Sequence, residues 1–318
     1  MSRTAHPLAL PAGLLLGYAL DEIIADPRRG HPVALFGWAA AALERAMWRD
    51  DRSRGVAYVA LAVGVPTLAA GRLDRRLNGP LAHAALVATL TWVALGGRSL
   101  RAEAEAMAKL LQAEDLSGAR RRLGHLCSRD ATNLPADEIA RAAVESIAEN
   151  TADAVIGPLL WGALAGPAGV VAYRCANTLD AMFGYRSARY ERFGWASARL
   201  DDALNVLPAR LTAALTVALA PALGGSRAEA WAAWRDDAPA HPSPNAGVVE
   251  ATAAGALGVR LGGANTYQGQ IQDRGVLGCG RAVDVADLRR VARLANLLSL
   301  AGLAGCLALA TAIQRCIR

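Results

Sequence analysis

Apolar residues gather into five uncharged stretches bounded by charged flanks: 55–71, 77–97, 154–173, 211–226 and 294–314, of 17, 21, 20, 16 and 21 residues. A helix rising ~1.5 Å per residue needs about 20 apolar residues to cross a hydrocarbon layer ~30 Å thick. Three stretches reach that length, and two fall within reach of a thin or tilted crossing. A shorter sixth stretch, 8–20, has no small-x-small cleavage site before Asp21-Glu22, so it reads as an N-terminal helix that stays on the protein. The expected fold class is all-α: a polytopic integral membrane helical protein with about five to six apolar helices, embedded as one domain over 1–318.

Two long polar segments, 98–153 and 227–293, lie between the apolar ones. The first is rich in strong helix formers from Arg101 to Leu111. Asn133-Leu-Pro-Ala-Asp-Glu then predicts a new helix, with Asn133 as its cap and acids in its first turn. The second segment reads as loop-rich, with Pro239, Pro242, Pro244 and many glycines. If every apolar stretch crosses, Lys and Arg divide 22 to 12 between the two sides. If 154–173, interrupted by Gly166-Pro167, and 211–226 dip in and return, the division becomes 28 to 6. That cleaner positive-inside pattern favours re-entrant segments lining a cavity.

Composition adds exclusions. The chain is 53% hydrophobic and 19% charged, with a mean hydropathy of +0.22, which rules out a disordered chain or a collagen-like repeat. Five cysteines without a Cys-x-x-Cys pair argue against a disulfide framework or a zinc ribbon. Lys109 is the only lysine and sits in Ala-Lys-Leu, so no Walker A loop exists. The net charge of +6 points weakly to anionic partners.

The densest chemistry lies between Glu138 and Asp153. On a helix, Glu145, Glu149 and Asp153 step by four and share an ~80° arc. Like charges so spaced repel, and Mg²⁺, which takes one or two carboxylates plus phosphate oxygens, would relieve them. The blander reading is a solvated acidic face relieved by Arg141, but this helix approaches an apolar stretch. A second constellation, 177–202, interleaves Arg186, Arg189, Arg192 and Arg199 with aromatics and with Asp180, Asp201 and Asp202. An interfacial loop would explain the arginines and aromatics but not the aspartates. A third is His241-Pro-Ser243-Pro-Asn245-Ala-Gly247, followed by Glu250 and by a glycine-rich run to Asn265. Its prolines stiffen the backbone and Gly247 permits unusual dihedrals, as in a ligand loop or an ordinary turn. A fourth, Asp26-Pro27 to His31-Pro32, has turn formers around an Arg28-Arg29 topology anchor. His83 and His125 read as structural. No Gly-x-Ser-x-Gly elbow, zinc His pair or dinucleotide fingerprint occurs.

These motifs resemble one family. Asp-Pro…His-Pro-Val at 26–33, Arg-Asp…Asn-Leu at 129–134, Ala-Val-Glu-Ser-Ile-Ala-Glu-Asn at 143–150 and Asn-Thr-Leu-Asp at 177–180 are similar to its signatures. So are Phe-Gly-Trp-Ala-Ser-Ala-Arg-Leu-Asp-Asp at 193–202 and His-Pro-Ser-Pro-Asn-Ala-Gly at 241–247. In order and content they resemble the CobD/CbiB cobalamin biosynthesis family, the adenosylcobinamide-phosphate synthases. The resemblance implies a multi-pass enzyme of the bacterial inner membrane with its active site facing the cytoplasm. It implies an ATP- and Mg²⁺-dependent ligase that joins a corrinoid, adenosylcobyric acid, to (R)-1-amino-2-propanol or its O-phosphate. Membrane lipid is an expected partner and nucleic acid is not. A homo-oligomer, or a complex with other late enzymes of the vitamin B12 pathway, is also expected.

Such chemistry needs groups that hold Mg²⁺ and phosphate, orient a carboxylate and accept a proton from the amine. On that basis Glu145, Glu149 and Asp153 are assigned to Mg²⁺–ATP, with Asp201 or Asp202 as a further ligand or base. Arg189 and Arg199 would neutralise phosphate in place of a P-loop lysine, with Asn150 and Asn177 as further ATP contacts. Asp26, His31, Asp180, Tyr185, His241, Ser243 and Asn245 are candidates for substrate contacts. Two rival readings fit less well. A CDP-alcohol phosphotransferase needs Asp-Gly-x-x-Ala-Arg, and here three residues separate Gly184 from Ala188. A transporter would carry charges inside its apolar stretches, and these five have none.

Overall fold

The computed structural model describes residues 8–25, 30–185, 187–267 and 270–316. Among them the chain is helical apart from one antiparallel hairpin, β1 (Leu261–Tyr267) with β2 (Gln270–Leu277). Five helical runs are long and apolar enough to cross a membrane: Arg52–Arg76, Pro80–Gln112, Ala136–Phe183, Trp195–Leu223 and Val285–Cys316. The all-α membrane class expected from the sequence is thus the observed one. The runs outgrow the apolar stretches because their flanking arginines are themselves good helix formers and can reach back toward water. The sixth stretch forms α1 (Ala9–Ile24), 16 residues long.

The contacts divide into two compact units, each assembled from separated pieces of chain. Unit 1 comprises 1–96, 157–205 and 303–318; unit 2 comprises 97–156 and 206–302.

In unit 1, α1 packs on α4 (Pro80–Ala94) through Gly13 and Gly17. A Cβ at Gly13 would lie 2.5 Å from Val87 Cβ, and one at Gly17 2.6 Å from Thr91 Cβ. This four-residue glycine spacing lets two helix backbones approach where lipid supplies no hydrophobic drive. Next come α2 (Pro32–Met47) and α3 (Arg52–Arg76), the latter capped by Asp51, which accepts from Arg54 N at 3.0 Å. Tyr58 of α3 is fully buried, donates to Ala40 O at 3.1 Å and meets Phe183 edge-on at 5.7 Å. Phe183 ends α8 (Gly157–Phe183), which is broken at Gly166, where φ is 61° and ψ −148° just before Pro167. The Gly166-Pro167 interruption read from the sequence is therefore a real helix break.

Unit 2 contains α5 (Gly97–Gln112), α6 (Leu116–Leu123) and α7 (Ala136–Thr151). A π-helical turn, Ala152–Ile156, follows. The cap of α7 is Pro135 rather than Asn133, and the helix gains its early acids, Asp137 and Glu138, as expected. The segment expected to be loop-rich instead holds α10 (Arg227–Asp236), α11 (Ala246–Leu257) and the hairpin. The prolines fall in the turn 237–245, and the alanine-rich run after it resumes a helix. Unit 2 also takes in the later part of α9 (Trp195–Leu219) and most of α12 (Val285–Cys316). Ile139, Val144, Ile147, Leu257, Leu277, Leu288 and Val291 form its core.

Candidate functional site

Unit 2 buries an unusual concentration of charge. Glu145, on α7, is 1% exposed. Its Oε2 is ion-paired with Arg129, and its Oε1 accepts from Arg141 at 2.9 Å and from Gly262 N at 2.8 Å. Arg141 also donates to Glu138, to Gly262 O and to Asn265 Oδ1 at 3.1 Å. The bulge between Gly262 and Ala264 of β1 turns that strand's backbone toward α7. Glu145 is thereby committed to three donors, as a buried carboxylate must be.

A second buried acid, Glu250, stands on α11, which at 12 residues is too short to cross a membrane. It is 0% exposed; its Oε1 pairs with Arg274 at 3.3 Å, and its Oε2 has no hydrogen-bond partner among the described residues. Burial pushes this carboxyl well above the ordinary carboxylate range. Glu149 and Glu145 push the same way, against Arg274 and Arg129.

His241 Nε2 lies 3.8 Å from Glu250 Oε1, too far for a hydrogen bond, and has no hydrogen-bond partner among the described residues. The imidazole is buried, which holds its pKa down to about 4, with Arg274 adding to the effect. Its Nδ1 lies 3.0 Å from Ser243 N and 3.2 Å from Ser243 O, able to accept from the one or donate to the other, while Nε2 faces Glu250. Ser243 Oγ in turn accepts from Ala246 N at 3.2 Å, at the start of α11. Asn245 Oδ1 accepts from Arg210. Gly247 is helical; its role is close approach, since a Cβ there would lie 2.5 Å from His241 Cβ.

The other residues expected on α7 fall around this cluster differently. Glu149 lies half-buried one turn after Glu145, and Asn150 Nδ2 donates to Leu126 O at 3.4 Å. Asp153 sits in the π-helical turn, whose wider pitch breaks the four-residue stepping assumed for a regular helix. Among the described residues, no group of three or more His, Cys, Asp or Glu side chains is placed to hold a metal ion. Glu145, Glu149 and Asp153 therefore do not converge as a three-carboxylate cage.

Unit 1 holds a second polar cluster. Asp201 accepts from Asn205 Nδ2 at 2.9 Å and from Asn177 Nδ2 at 3.4 Å. Asn205 Oδ1 accepts from Tyr173 at 2.6 Å, and Asn177 Oδ1 from Arg174 at 3.3 Å. Arg199 pairs with Asp202 at 3.3 Å, both partly solvated. Arg189 is a clamp rather than a free cation: it pairs with Glu44 at 2.8 Å and lies over the Trp48 ring at 4.5 Å. Asp180 lies against Gly184, where a Cβ would strike its carboxylate, and Tyr185 is 40% exposed nearby in sequence. His31 caps α2 by accepting from Val33 N at 3.2 Å. Asp26 lies outside the described residues.

Sequence reasoning underweighted Glu250, Arg129, Arg210 and Arg274. The signal for Glu250 was present: a lone carboxylate in an otherwise apolar helix has to be paired or used. Arg129 and Arg274 reach Glu145 and Glu250 from positions far away in sequence, which no local pattern reports.

Comparison with known proteins places this architecture. No solved structure matches the chain. A protein named "Cobalamin biosynthesis protein CobD" from Mycobacterium tuberculosis (strain CDC 1551 / Oshkosh) is 54% identical over 278 residues, 87% of this chain and 88% of the relative. Proteins of the same name from Chromobacterium violaceum and Stutzerimonas stutzeri are 45% and 48% identical, covering 90% and 83% of this chain and 91% and 86% of theirs. Residues 14–295 match the family described as CobD/Cbib protein. That span takes in both polar clusters, and the chain belongs to the CobD/CbiB family.

Proposed function

We propose that this protein is an ATP-dependent amide ligase of cobalamin biosynthesis. It would join a propionate carboxylate of adenosylcobyric acid to (R)-1-amino-2-propanol or its O-phosphate. Family membership supports the pathway, and the buried Glu250–His241 pair, with its two unpartnered polar atoms, is the observation that carries the site.

A carboxylate is a poor electrophile. Transfer of a phosphoryl group from ATP to its oxygen gives an acyl phosphate and ADP. The amine nitrogen then attacks the acyl carbon, the C–O bond to phosphate breaks, and the nitrogen sheds a proton. Glu250 is suited to take that proton, because burial holds its carboxyl well above the ordinary carboxylate range and so makes it a stronger base than a solvated carboxylate. His241 would flank it, its Nε2 3.8 Å from Glu250 Oε1, and the Arg129–Glu145–Arg141 lattice would keep the surrounding backbone in place.

The donor set suits Mg²⁺ as a partial shell. Glu145 is taken by its arginines, which leaves Glu149 as the α7 carboxylate available to the ion, with nucleotide phosphates and water as further ligands. Mg²⁺ so bound would neutralise phosphate charge. In unit 1, the Asp201–Asn205–Asn177 network has the amide and carboxylate groups that recognise amide side chains of the kind a corrinoid carries. The 28 to 6 division of basic residues supports insertion in the bacterial inner membrane with the basic segments in the cytoplasm.

The test is turnover of the purified protein, in detergent, with ATP, Mg²⁺, adenosylcobyric acid and each amine in turn, read by mass spectrometry. The expected result is a single amide product with one or both amines and matching release of ADP. No amide with either amine sinks the reading.

A further inference from the structure

Unit 2 contains a pocket of about 560 Å³ whose lining includes Trp231, Trp234, Arg210, Arg235 and His241, with three prolines of the 239–244 turn stiffening its rim. Its volume lies within the roughly 300–1,000 Å³ that takes a drug-sized ligand. The lining contains two arginines and no carboxylate.

The two indoles stand three apart on α10, with ring centroids 5.2 Å apart and planes at 69°. Trp231 remains 50% exposed, so a flat aromatic face is open to an occupant. An indole pair could instead belong to a membrane-interface belt, but α10 carries Arg227, Glu229, Arg235 and Asp236 in ten residues, a polar helix. A lipid-facing ring also has no use for Arg210.

Arg210 is the more telling group. It lies in the helical run Trp195–Leu223, just before the apolar stretch 211–226, is half-buried, and has only neutral acceptors among the described residues: Asn245 Oδ1 and, at 3.5 Å, Val206 O. A half-buried arginine without a carboxylate partner is costly unless an anion meets it. The other arginine, Arg235, is already paired with Asp236 at 2.7 Å.

We infer that this pocket is a nucleotide site, with the base against Trp231 and the phosphates directed at Arg210. Aromatic faces stack any purine or pyrimidine, and a guanidinium meets phosphate bidentately. Among the ligands of the proposed reaction, a corrin with its amide side chains is far too large for this volume. A small amino alcohol gains nothing from two indoles. The general class follows from the pocket alone; its identification with the phosphoryl donor ATP rests on the ligase reading above. His241 then occupies both the pocket wall and the approach to Glu250, linking nucleotide occupancy to the buried acid.

The experiment uses the full-length protein in detergent micelles, titrated with the fluorescent analogue mant-ATP and, separately, with ATP by equilibrium dialysis. Wild type should bind saturably, with indole-sensitised mant emission. Trp231→Ala and Arg210→Gln should each raise the Kd about tenfold or more, whereas Trp231→Phe, which keeps a flat ring, should stay close to wild type. Trp231 is half-exposed, so its variants test the site even if Arg210→Gln fails to fold. No saturable binding by wild type, or unchanged Kd in both Trp231→Ala and Arg210→Gln, overturns the inference. Amide formation assayed on the same preparations separates the two ideas. Turnover whose KM for ATP ignores Trp231→Ala removes the site and leaves the ligase. Nucleotide binding that depends on Trp231, without any amide product, removes the ligase and leaves the site.

Discussion

Gly247 and His241 are in such close register that a single added carbon would separate them: a Cβ at 247 would stand 2.5 Å from His241 Cβ and 2.7 Å from Ala238 O. Gly247→Ala should therefore push the imidazole away from Glu250. The expected cost is ~1–3 kcal/mol of stability, typical of overpacking, together with a clear fall in kcat. Thermal denaturation in detergent and the amide assay measure the two effects, and an unaltered kcat would show that the His241–Glu250 approach is dispensable.

Glu250 gives a pH prediction with a definite sign. Its folded-state pKa is raised, first by burial and then by Glu149 and Glu145. A raised pKa stabilises the fold fully only below the unfolded value near 4.5, and that support is lost as pH climbs toward the folded value. Glu250→Gln, which has the same shape and no charge, should then raise Tm relative to wild type. The gap should widen from pH 5 to pH 8 while activity is lost. A gap that is flat with pH would mean the carboxyl titrates normally.

His241 acts in the opposite direction. Its pKa is held down to about 4, so the fold loses stability as pH falls from 6.5 toward 4. His241→Gln should flatten that acid limb of the Tm–pH curve. An acid limb identical to wild type would assign the loss to other groups.

In unit 1, Gly13→Val and Gly17→Val should pry α1 from α4 and lower Tm by several degrees, since each methyl group would enter Val87 or Thr91. Gly64→Ala provides the contrast, because its Cβ would meet nothing within 4 Å. It should leave Tm unchanged or slightly higher. Equal losses at all three positions would deny the glycine pair a special packing role.

Asn205 donates to Asp201 and accepts from Tyr173. Asn205→Leu should cost about 1–3 kcal/mol, since two buried groups lose a partner. A double-mutant cycle with Tyr173→Phe should show coupling of ~0.5 kcal/mol or more. Simple additivity would place the two residues in separate networks.

Much of the fold was legible because a membrane-length helix announces itself by an uninterrupted apolar run. Even the break at Gly166 was marked by its proline. Local pattern could also place Glu145, His241, Ser243 and Asn245 at chemistry-bearing positions. It could not find Arg129 or Arg274, whose relevance depends on contacts across 16 and 24 residues. Nor could it show the π-helical turn at Asp153, which leaves no clear trace in composition. Nor could it show that Glu44 and Trp48, far away in sequence, hold Arg189. Residue type reported which side chains could do chemistry, and long-range pairing decided which were already committed.

Each compact unit is stitched from non-adjacent pieces of chain, and the last piece of unit 1 is the segment 303–318. Neither unit can be excised as a continuous fragment, so domain dissection by truncation is closed to this fold. On the ribosome, the opening helices must wait for residues 303–316 before unit 1 is complete, so they are made long before their last packing partner.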